Sequence, residues 1–391
     1  MISVDQAIEL IKQTVAGTSG SVVLPLEEAL GFVLAEDVLS TIDMPPFRQS
    51  AMDGYALCTN GELNYEVVGE VAAGSSLNPS LAPGEAVRIF TGAPVPDSAN
   101  SIVIQERVSR EGKEIILEEQ PNPEANIRPQ GEQLKKGQVA LSAGHRLNPA
   151  SVGLLASTGI SRVRVSIKPK VSVVVTGDEL MAAGTPLGHG QIYESNGIML
   201  QSILLQKGYT SVSVVKARDN FDELKQTLEQ AIADSDFTLV SGGISVGDYD
   251  FAGSALDALG VKEVFYKVKQ KPGKPLFFGT KDDKLVFALP GNPASALSCF
   301  YSYVLLALKL WESDVEAAEP LRKAILTADF TKKGNRAQFL KARVNADSLT
   351  VLDGQASSML QSFARANALA FIDEQTAQVK AGEEISYLKI D

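Results

Sequence analysis

The feature that most constrains the fold is a stretch from Phe237 to Ser295, in which apolar runs repeatedly meet glycine- or proline-rich turns. Phe237-Thr-Leu-Val240 leads into Ser241-Gly-Gly-Ile-Ser-Val-Gly-Asp-Tyr-Asp250. Leu285-Val-Phe-Ala-Leu289 leads into Pro290-Gly-Asn-Pro-Ala-Ser295, and Lys271-Pro-Gly-Lys-Pro275 lies between them. Short apolar runs of this kind read as buried strands. Glycines directly after a strand let backbone N–H groups approach an anion, because no Cβ intervenes. A helix starting there adds its N-terminal dipole. Lys271 and Lys274 bring mobile positive charge suited to phosphate, and Asp248 and Asp250 bring hard oxygen donors suited to Mg²⁺. One glycine turn alone is usually structural. Three of them, with two carboxylates and two lysines in one short stretch, point to a phosphate-and-metal site on an α/β sheet.

The rest of the composition narrows the classes. A chain of 391 residues suggests more than one domain. The net charge of −11 argues against a broad nucleic-acid surface. With two cysteines, Cys58 and Cys299, neither a disulfide scaffold nor a thiolate metal site is expected. His145 and His189 are too few for a histidine zinc site and receive no role. No apolar run approaches a membrane span and the N-terminus lacks a basic-then-apolar signal, so a cytoplasmic protein with no membrane contact is expected.

In chain order, Ser3 and Gln6 form a capping box before an apolar stripe of Val4, Ala7, Ile8, Ile11 and Val15. Glu27 to Leu34 reads as a second short helix. Pro149 to Ser157 reads as a third, packed with the N-terminal helices, with Pro near its first turn and Gly159 as its cap. Between them, residues 46–125 alternate in short Val/Ile runs with Gly and Pro and read as a small β insert. Asp53-Gly54 and Thr91-Gly92 mark turns within it. From residue 166, strands at Val171–Val175, Val212–Val215, Phe237–Val240, Val264–Val268, 276–278 and 285–289 alternate with helices. Among these helices, that at Phe221–Ala233 takes Asp219 or Asn220 as its cap, and Pro293 to Trp311 is one long apolar helix. Such alternation implies a mostly parallel sheet covered on both faces, with ligands bound beyond the carboxyl ends of its strands. Thr176, Asp219, Ser241 and Pro290 all fall just past strand ends. The charged segment after Glu312 reads as a linker, and residues 321–391 as a C-terminal β barrel. The fold class expected is therefore α/β plus β. Its parts are a helical region (1–45 and 126–165), the insert (46–125), the central α/β domain (166–312) and the barrel (313–391).

In this order and spacing the motifs resemble one family, the bacterial MoeA type of molybdopterin molybdenumtransferase, shared with the E domain of gephyrin. The motifs are Pro45-Pro-Phe47, Ser50-Ala-Met-Asp-Gly-Tyr-Ala56, Thr91-Gly-Ala-Pro-Val-Pro96, Asn126-Ile-Arg-Pro-Gln-Gly-Glu132, Thr176-Gly-Asp-Glu-Leu180, Ser241 to Gly247, Lys271 to Pro275 and Leu289 to Pro293. The resemblance covers essentially the whole chain. It implies a homodimer acting on adenylyl-molybdopterin: molybdate is inserted, the phosphoanhydride is hydrolysed, and AMP leaves with Mg²⁺ assistance. It also implies transient contact with the adenylyltransferase that makes the substrate and with acceptor molybdoenzymes.

By the same resemblance the catalytic set is Asp53, Thr91, Glu179, Asp250, Lys271 and Lys274, and the metal set is Asp219, Asp250 and Glu179. The glycine turns and strand ends add Thr176, Gly177, Ser241, Gly242, Gly243, Ser245, Gly247, Pro290, Gly291 and Asn292 as substrate-binding residues. Arg336 and Ser358 suit the tetrahedral molybdate dianion. One departure is clear: Arg48-Gln49 stands where the family usually has Asp/Asn-Asn. Two other functions compete. An adenylyltransferase would need the α/β domain alone, and a non-catalytic scaffold of the gephyrin kind would need none of these carboxylates and lysines.

Overall fold

The apolar runs after residue 166 pair into a six-stranded sheet in a computed structural model of the chain, which describes residues 1–18, 20–244, 251–317 and 321–390. Its strand order is Val212–Ala217, Val171–Thr176, Phe237–Ser241, Lys284–Leu289, Phe277–Lys281, Lys262–Tyr266. The first four run parallel, Phe277–Lys281 runs against them, and Lys262–Tyr266 pairs antiparallel with that strand, so the sheet is mixed, and the expectation of a mostly parallel sheet holds only in part. The reason is local. Phe277–Lys281 and Lys284–Leu289 are joined by only Asp282 and Asp283, and Asp282 takes φ 54°. A two-residue link can only fold a strand back on its neighbour.

Both faces are covered. One face packs against the helix Val4–Thr14, the helix Asn196–Gln206 and the long helical stretch 293–311. The other packs against Phe221–Asp234 and Phe251–Ala258. The stretch 293–311 has a π-helical turn, Phe300–Val304, between two α-helical segments. It is 19 residues long and apolar, which corrects the expectation that no apolar run approaches membrane length. Yet 78% of its most apolar window is buried inside the protein, as in a core helix.

The N-terminal helix forms as its sequence dictates. Ser3 Oγ accepts from the Gln6 N–H, and Gln6 Oε1 accepts from the Ser3 N–H. Its apolar stripe packs on the α/β core, whereas the helix Pro149–Ser157 packs with Leu26, Ala29 and Leu34. The two helices therefore do not share a core. The helix expected over Glu27 to Leu34 is a single 3₁₀ turn, Leu26–Glu28. Gly31 takes φ +77°, and Val33 and Leu34 pair as bridges with Arg146 and Val165.

Residues of the insert form an open six-stranded sheet with an apolar cluster on each face. Toward the C-terminus, the strands Ala337–Asn345, Ser348–Val351, Arg322–Leu326, Glu384–Lys389 and Ala368–Ile372 pair in a ring, a closed five-stranded barrel. Asp314 is not the solvated linker charge expected, and Glu312 stands just before it. Both are buried. Arg146 donates to Glu312 Oε2 at 2.9 Å, to Asp314 Oδ2 at 2.9 Å and to the Gly31 carbonyl at 2.8 Å. The Tyr209 hydroxyl also donates to Glu312 Oε2, at 2.7 Å. Burial alone would lower the Arg146 guanidinium. Glu312, with Tyr209 and Asp314, outweighs it and holds the group above its ordinary range. A charge pair this buried is costly to break from one side, about 3–5 kcal/mol, so it ties the Gly31 turn firmly to the α/β domain.

Candidate active site

A cavity of about 600 Å³ opens at the carboxyl ends of the parallel strands. Thr176 ends its strand with the side chain buried, and its hydroxyl donates to Asp219 Oδ1. The Asp219 N–H in turn donates to Asp178 Oδ1 at 3.2 Å. Glu179 and Asp219 both line the cavity. Gly242 has φ +100°, and a Cβ there would stand 2.5 Å from the Thr176 carbonyl oxygen, so only glycine lets these two strand ends meet. Ser241, Gly242, Gly243, Pro290, Gly291, Asn292 and Ser358 complete the expected part of the lining.

Asn196 is the residue that sequence reading missed. It is the first residue of the helix Asn196–Gln206, whose cap, Ser195, makes no side-chain bond; the Gly197 N–H donates instead to Glu194 Oε1, at 2.7 Å. Asn196 is 9% exposed. Its Nδ2 donates to Ser241 Oγ and to the Gly291 carbonyl, both at 2.8 Å, so one amide clamps two glycine turns together. The local signal was a Ser-Asn pair directly before an apolar helix; nothing in one sequence distinguishes that from capping. Glu194, Ile192 and Tyr193 also line the cavity, from the short segment before the same helix.

The C-terminal barrel closes two sides of this region. Strand Gln270–Lys271 pairs in parallel with Ala337 and Gln338, and Arg336 Nη1 donates to the Gln270 carbonyl at 3.2 Å. On the other side, Asn292 Nδ2 donates to Ser357 Oγ at 3.2 Å, and the Ala294 N–H donates to the Ser357 carbonyl at 3.1 Å. Lys271 and Lys274 are exposed, and Pro275, next in the chain, lines the cavity. Among the described residues neither lysine ammonium has a hydrogen-bond or ion-pair partner. Their loop is rigid from behind. A Cβ at Gly273, where φ is +83°, would meet Cys299 Sγ at 2.5 Å, and Gln270 Nε2 donates to the Gly273 carbonyl at 3.2 Å. Burial pushes the Cys299 thiol up to about 12, so it is a packing group and not a nucleophile.

Asp53 and Thr91 lie elsewhere. Both are exposed on the insert, and neither lines the cavity. Asp53 Oδ1 accepts from the Thr91 N–H at 2.7 Å and from the Thr91 hydroxyl at 2.8 Å. These bonds, the backbone one first, with Arg88 nearby, hold the Asp53 carboxyl below its ordinary range. Among the described residues, the hydrogen bonds and ion pairs of the insert close within it or on its adjoining return segment. Arg48, the departure from the family pattern, donates to the Ala99 carbonyl at 2.9 Å and pairs with Glu124 at 3.2 Å, tying the insert to itself. Ser245, Gly247, Asp248 and Asp250 lie outside the described residues.

The donor set fits a hard cation such as Mg²⁺. Among the described residues Asp219 and Glu179 bring carboxylates to the cavity, and no group of three potential protein ligands is gathered. Mg²⁺ is commonly held by one or two carboxylates, with waters and substrate phosphates filling the rest.

Three family models match the chain in order: "MoeA N-terminal region (domain I and II)" over residues 2–159, "Probable molybdopterin binding domain" over 172–309 and "MoeA C-terminal region (domain IV)" over 323–390. A molybdopterin molybdenumtransferase of Haemophilus influenzae is 34% identical, covering 99% of this chain and 98% of its own. Molybdopterin molybdenumtransferase 2 of Mycobacterium tuberculosis is 34% identical over 93% of this chain and 94% of its own. The crystal structure of a molybdopterin biosynthesis MoeA protein from Pyrococcus horikoshii superposes with a TM-score of 0.86 at 30% identity, over the whole of both chains. With relatives this similar along nearly its full length, the chain belongs to the molybdopterin molybdenumtransferase family.

Proposed function

We propose that this enzyme of molybdenum cofactor biosynthesis inserts molybdate into adenylyl-molybdopterin and releases AMP. The observation that carries the reading is the cavity at the strand ends, where Thr176, Asp219, Glu179 and the two glycine turns converge beside the Lys271–Lys274 loop. Phosphoanhydride cleavage needs the transferred group neutralised and the leaving phosphate stabilised. Lys271 and Lys274, whose ammonium groups have no partner among the described residues, hold the phosphates. Asp219 and Glu179, with Asp250 from the sequence, would hold Mg²⁺, which supplies charge neutralisation when bound. The backbone of Ser241–Gly243 and Pro290–Asn292 orients the pterin and nucleotide parts. Arg336 and Ser358 receive molybdate.

The reading includes a cytoplasmic homodimer in which the insert of one protomer serves the cavity of the other. Asp53 and Thr91 stand apart from their own chain's cavity, and that supports it. The insert 46–125, the α/β domain 166–312 and the barrel 313–391 then act as separate units around a shared site. The test is to supply the purified protein with adenylyl-molybdopterin, Mg²⁺ and molybdate and to follow AMP. Molybdate-dependent release is expected. Release at the same rate without molybdate, or none at all, would overturn the reading.

A further inference from the structure

Lys341 lies on the barrel strand Ala337–Asn345 and is only 3% exposed. Its ammonium donates to three carbonyls: Gly354 at 2.6 Å, Ala356 at 3.1 Å and Met359 at 3.1 Å. Three donors meet three acceptors, so the group is fully satisfied. All three acceptors are neutral. Among the described residues no carboxylate lies within ion-pair distance of it. Burial pushes this ammonium below its ordinary range, with no anion to restore it. Gln355 fixes the same strand from the turn side: its Oε1 accepts from the Lys341 N–H at 3.0 Å, and its Nε2 donates to the Lys341 carbonyl at 2.8 Å.

The consequence follows from peptide geometry. In a trans peptide the N–H points opposite to the carbonyl of the preceding residue. Turning the Ala356 carbonyl onto Lys341 therefore turns the Ser357 N–H away from it. Among the described residues the Ser357 N–H and the Ser358 hydroxyl have no hydrogen-bond partner, and Ser358 lines the cavity. The turn is anchored beside the cavity by the bonds from Asn292 and Ala294 to Ser357.

We propose that Lys341 is a positioning residue for the oxyanion end of the site: it draws the carbonyls of the 354–359 turn inward and leaves the Ser357 N–H and the Ser358 hydroxyl to receive a tetrahedral oxyanion. The cation beneath the turn has no counter-ion among the described residues, so the site favours a dianion over a neutral ligand. The inference rests on the proposed use of molybdate, and the experiments separate the two.

The first experiment is Lys341→Met in the full-length protein, assayed for molybdate-dependent AMP release. The KM for molybdate is expected to rise by about tenfold or more, with the KM for adenylyl-molybdopterin within about twofold, because only one ligand uses the turn. A purely structural lysine would shift both constants together or neither, and that result overturns the proposal. The second experiment uses the wild-type protein, so that it stands even if the variant does not fold. Protein labelled with ¹⁵N-serine is titrated with molybdate, against chloride at matched ionic strength, with the amide signals assigned through Ser357→Ala and Ser358→Ala. Movement of the Ser357 and Ser358 amides with molybdate alone supports the proposal. Unmoved amides in a protein whose AMP release depends on molybdate overturn it and leave the enzymatic reading intact. AMP release that ignores molybdate defeats that reading instead.

Discussion

The cavity of the α/β domain and the Asp53–Thr91 pair of the insert are both polar, but they are built in opposite ways. Around the cavity the polar groups hold one another: Thr176 donates to Asp219, Asn196 ties Ser241 to Gly291, and Ser357 is fixed by Asn292 and Ala294. Most of these anchoring groups are buried or half-buried, and the backbone behind them tolerates no added carbon at Gly242 or Gly273. Among the described residues the Asp53 carboxylate hydrogen-bonds to Thr91 alone, and it is exposed on its own sheet. The cavity is thus preorganised within one chain. The insert pair is a preformed anionic tip without a local ligand to act on. A tip of that kind is useful only against something brought to it, and the proposed shared-site dimer would supply the simplest such surface.

The largest effect should come from the cavity side. Asp219→Asn keeps the shape but removes the charge that would hold a hard cation, while the Thr176 hydroxyl can still donate to the amide oxygen. AMP release should fall by about 10²-fold or more with the melting temperature little changed. Turnover near wild type at saturating Mg²⁺ would remove Asp219 from the metal set.

The next experiment tests the relation between the two regions. Asp53→Asn and Asp219→Asn should each be inactive alone and regain activity when subunits are mixed. In a mixed dimer with shared sites, one site carries both changes and the other carries neither. Random re-pairing makes about half the dimers mixed, so about a quarter of all sites should be intact. If each site were built from one chain, every site would carry one change. Activity that stays at the single-mutant level, with exchange confirmed by mass, would sink the shared site.

A smaller contrast compares the ties within each region. Asn196→Ala leaves the buried Ser241 hydroxyl without an amide donor, which costs about 1–3 kcal/mol in unfolding free energy and loosens both glycine turns. Glu124→Gln removes the charge from a half-exposed ion pair with Arg48 and leaves the Arg48 bond to the Ala99 carbonyl in place, and such pairs are worth about 0–1 kcal/mol. Chemical denaturation of both variants gives the two values. Equal losses would mean that the insert is held as tightly as the cavity.

These contrasts also explain what the sequence disclosed. Local signals carried well: the Ser3/Gln6 capping box, the Asn220 cap before Phe221–Asp234, and Pro149 in the first turn of its helix are all present. Each depends on residues within one turn of the chain. Strand direction depends on partners far away, so the apolar runs at 262–266 and 277–281 did not announce that they are antiparallel. Only the two-residue Asp282-Asp283 link held that information. Asp314 looked like a linker charge because Arg146, which binds both it and Glu312, lies more than 160 residues earlier. Lys341 was hidden for the same reason from the other side: its partners are carbonyls, which every residue has. The glycine turns were legible because a missing Cβ is itself a sequence signal.

The smallest effect concerns the insert pair alone. Thr91→Val removes the hydroxyl that donates to Asp53 Oδ1 at 2.8 Å and keeps both the side-chain shape and the backbone N–H at 2.7 Å. The backbone bond is the stronger cause of the lowered Asp53 carboxyl, and Arg88 adds its charge, so the carboxyl should remain below its ordinary value of 3.8 but less so than in the wild type. The sign follows from linkage. A carboxyl depressed in the folded state contributes stability that is fully present above its unfolded value and is lost as pH falls through the folded one. Thr91→Val should therefore lower the melting temperature slightly at neutral pH, and the gap to wild type should close as pH falls below 3.8 toward the depressed folded value. The Asp53 ¹³Cγ shift, followed over the same acid range, should titrate at higher pH in the variant. A gap that stays constant with pH would show that the hydroxyl packs against Asp53 without favouring its charge, and the tip would then owe its ionisation to the backbone and Arg88 alone.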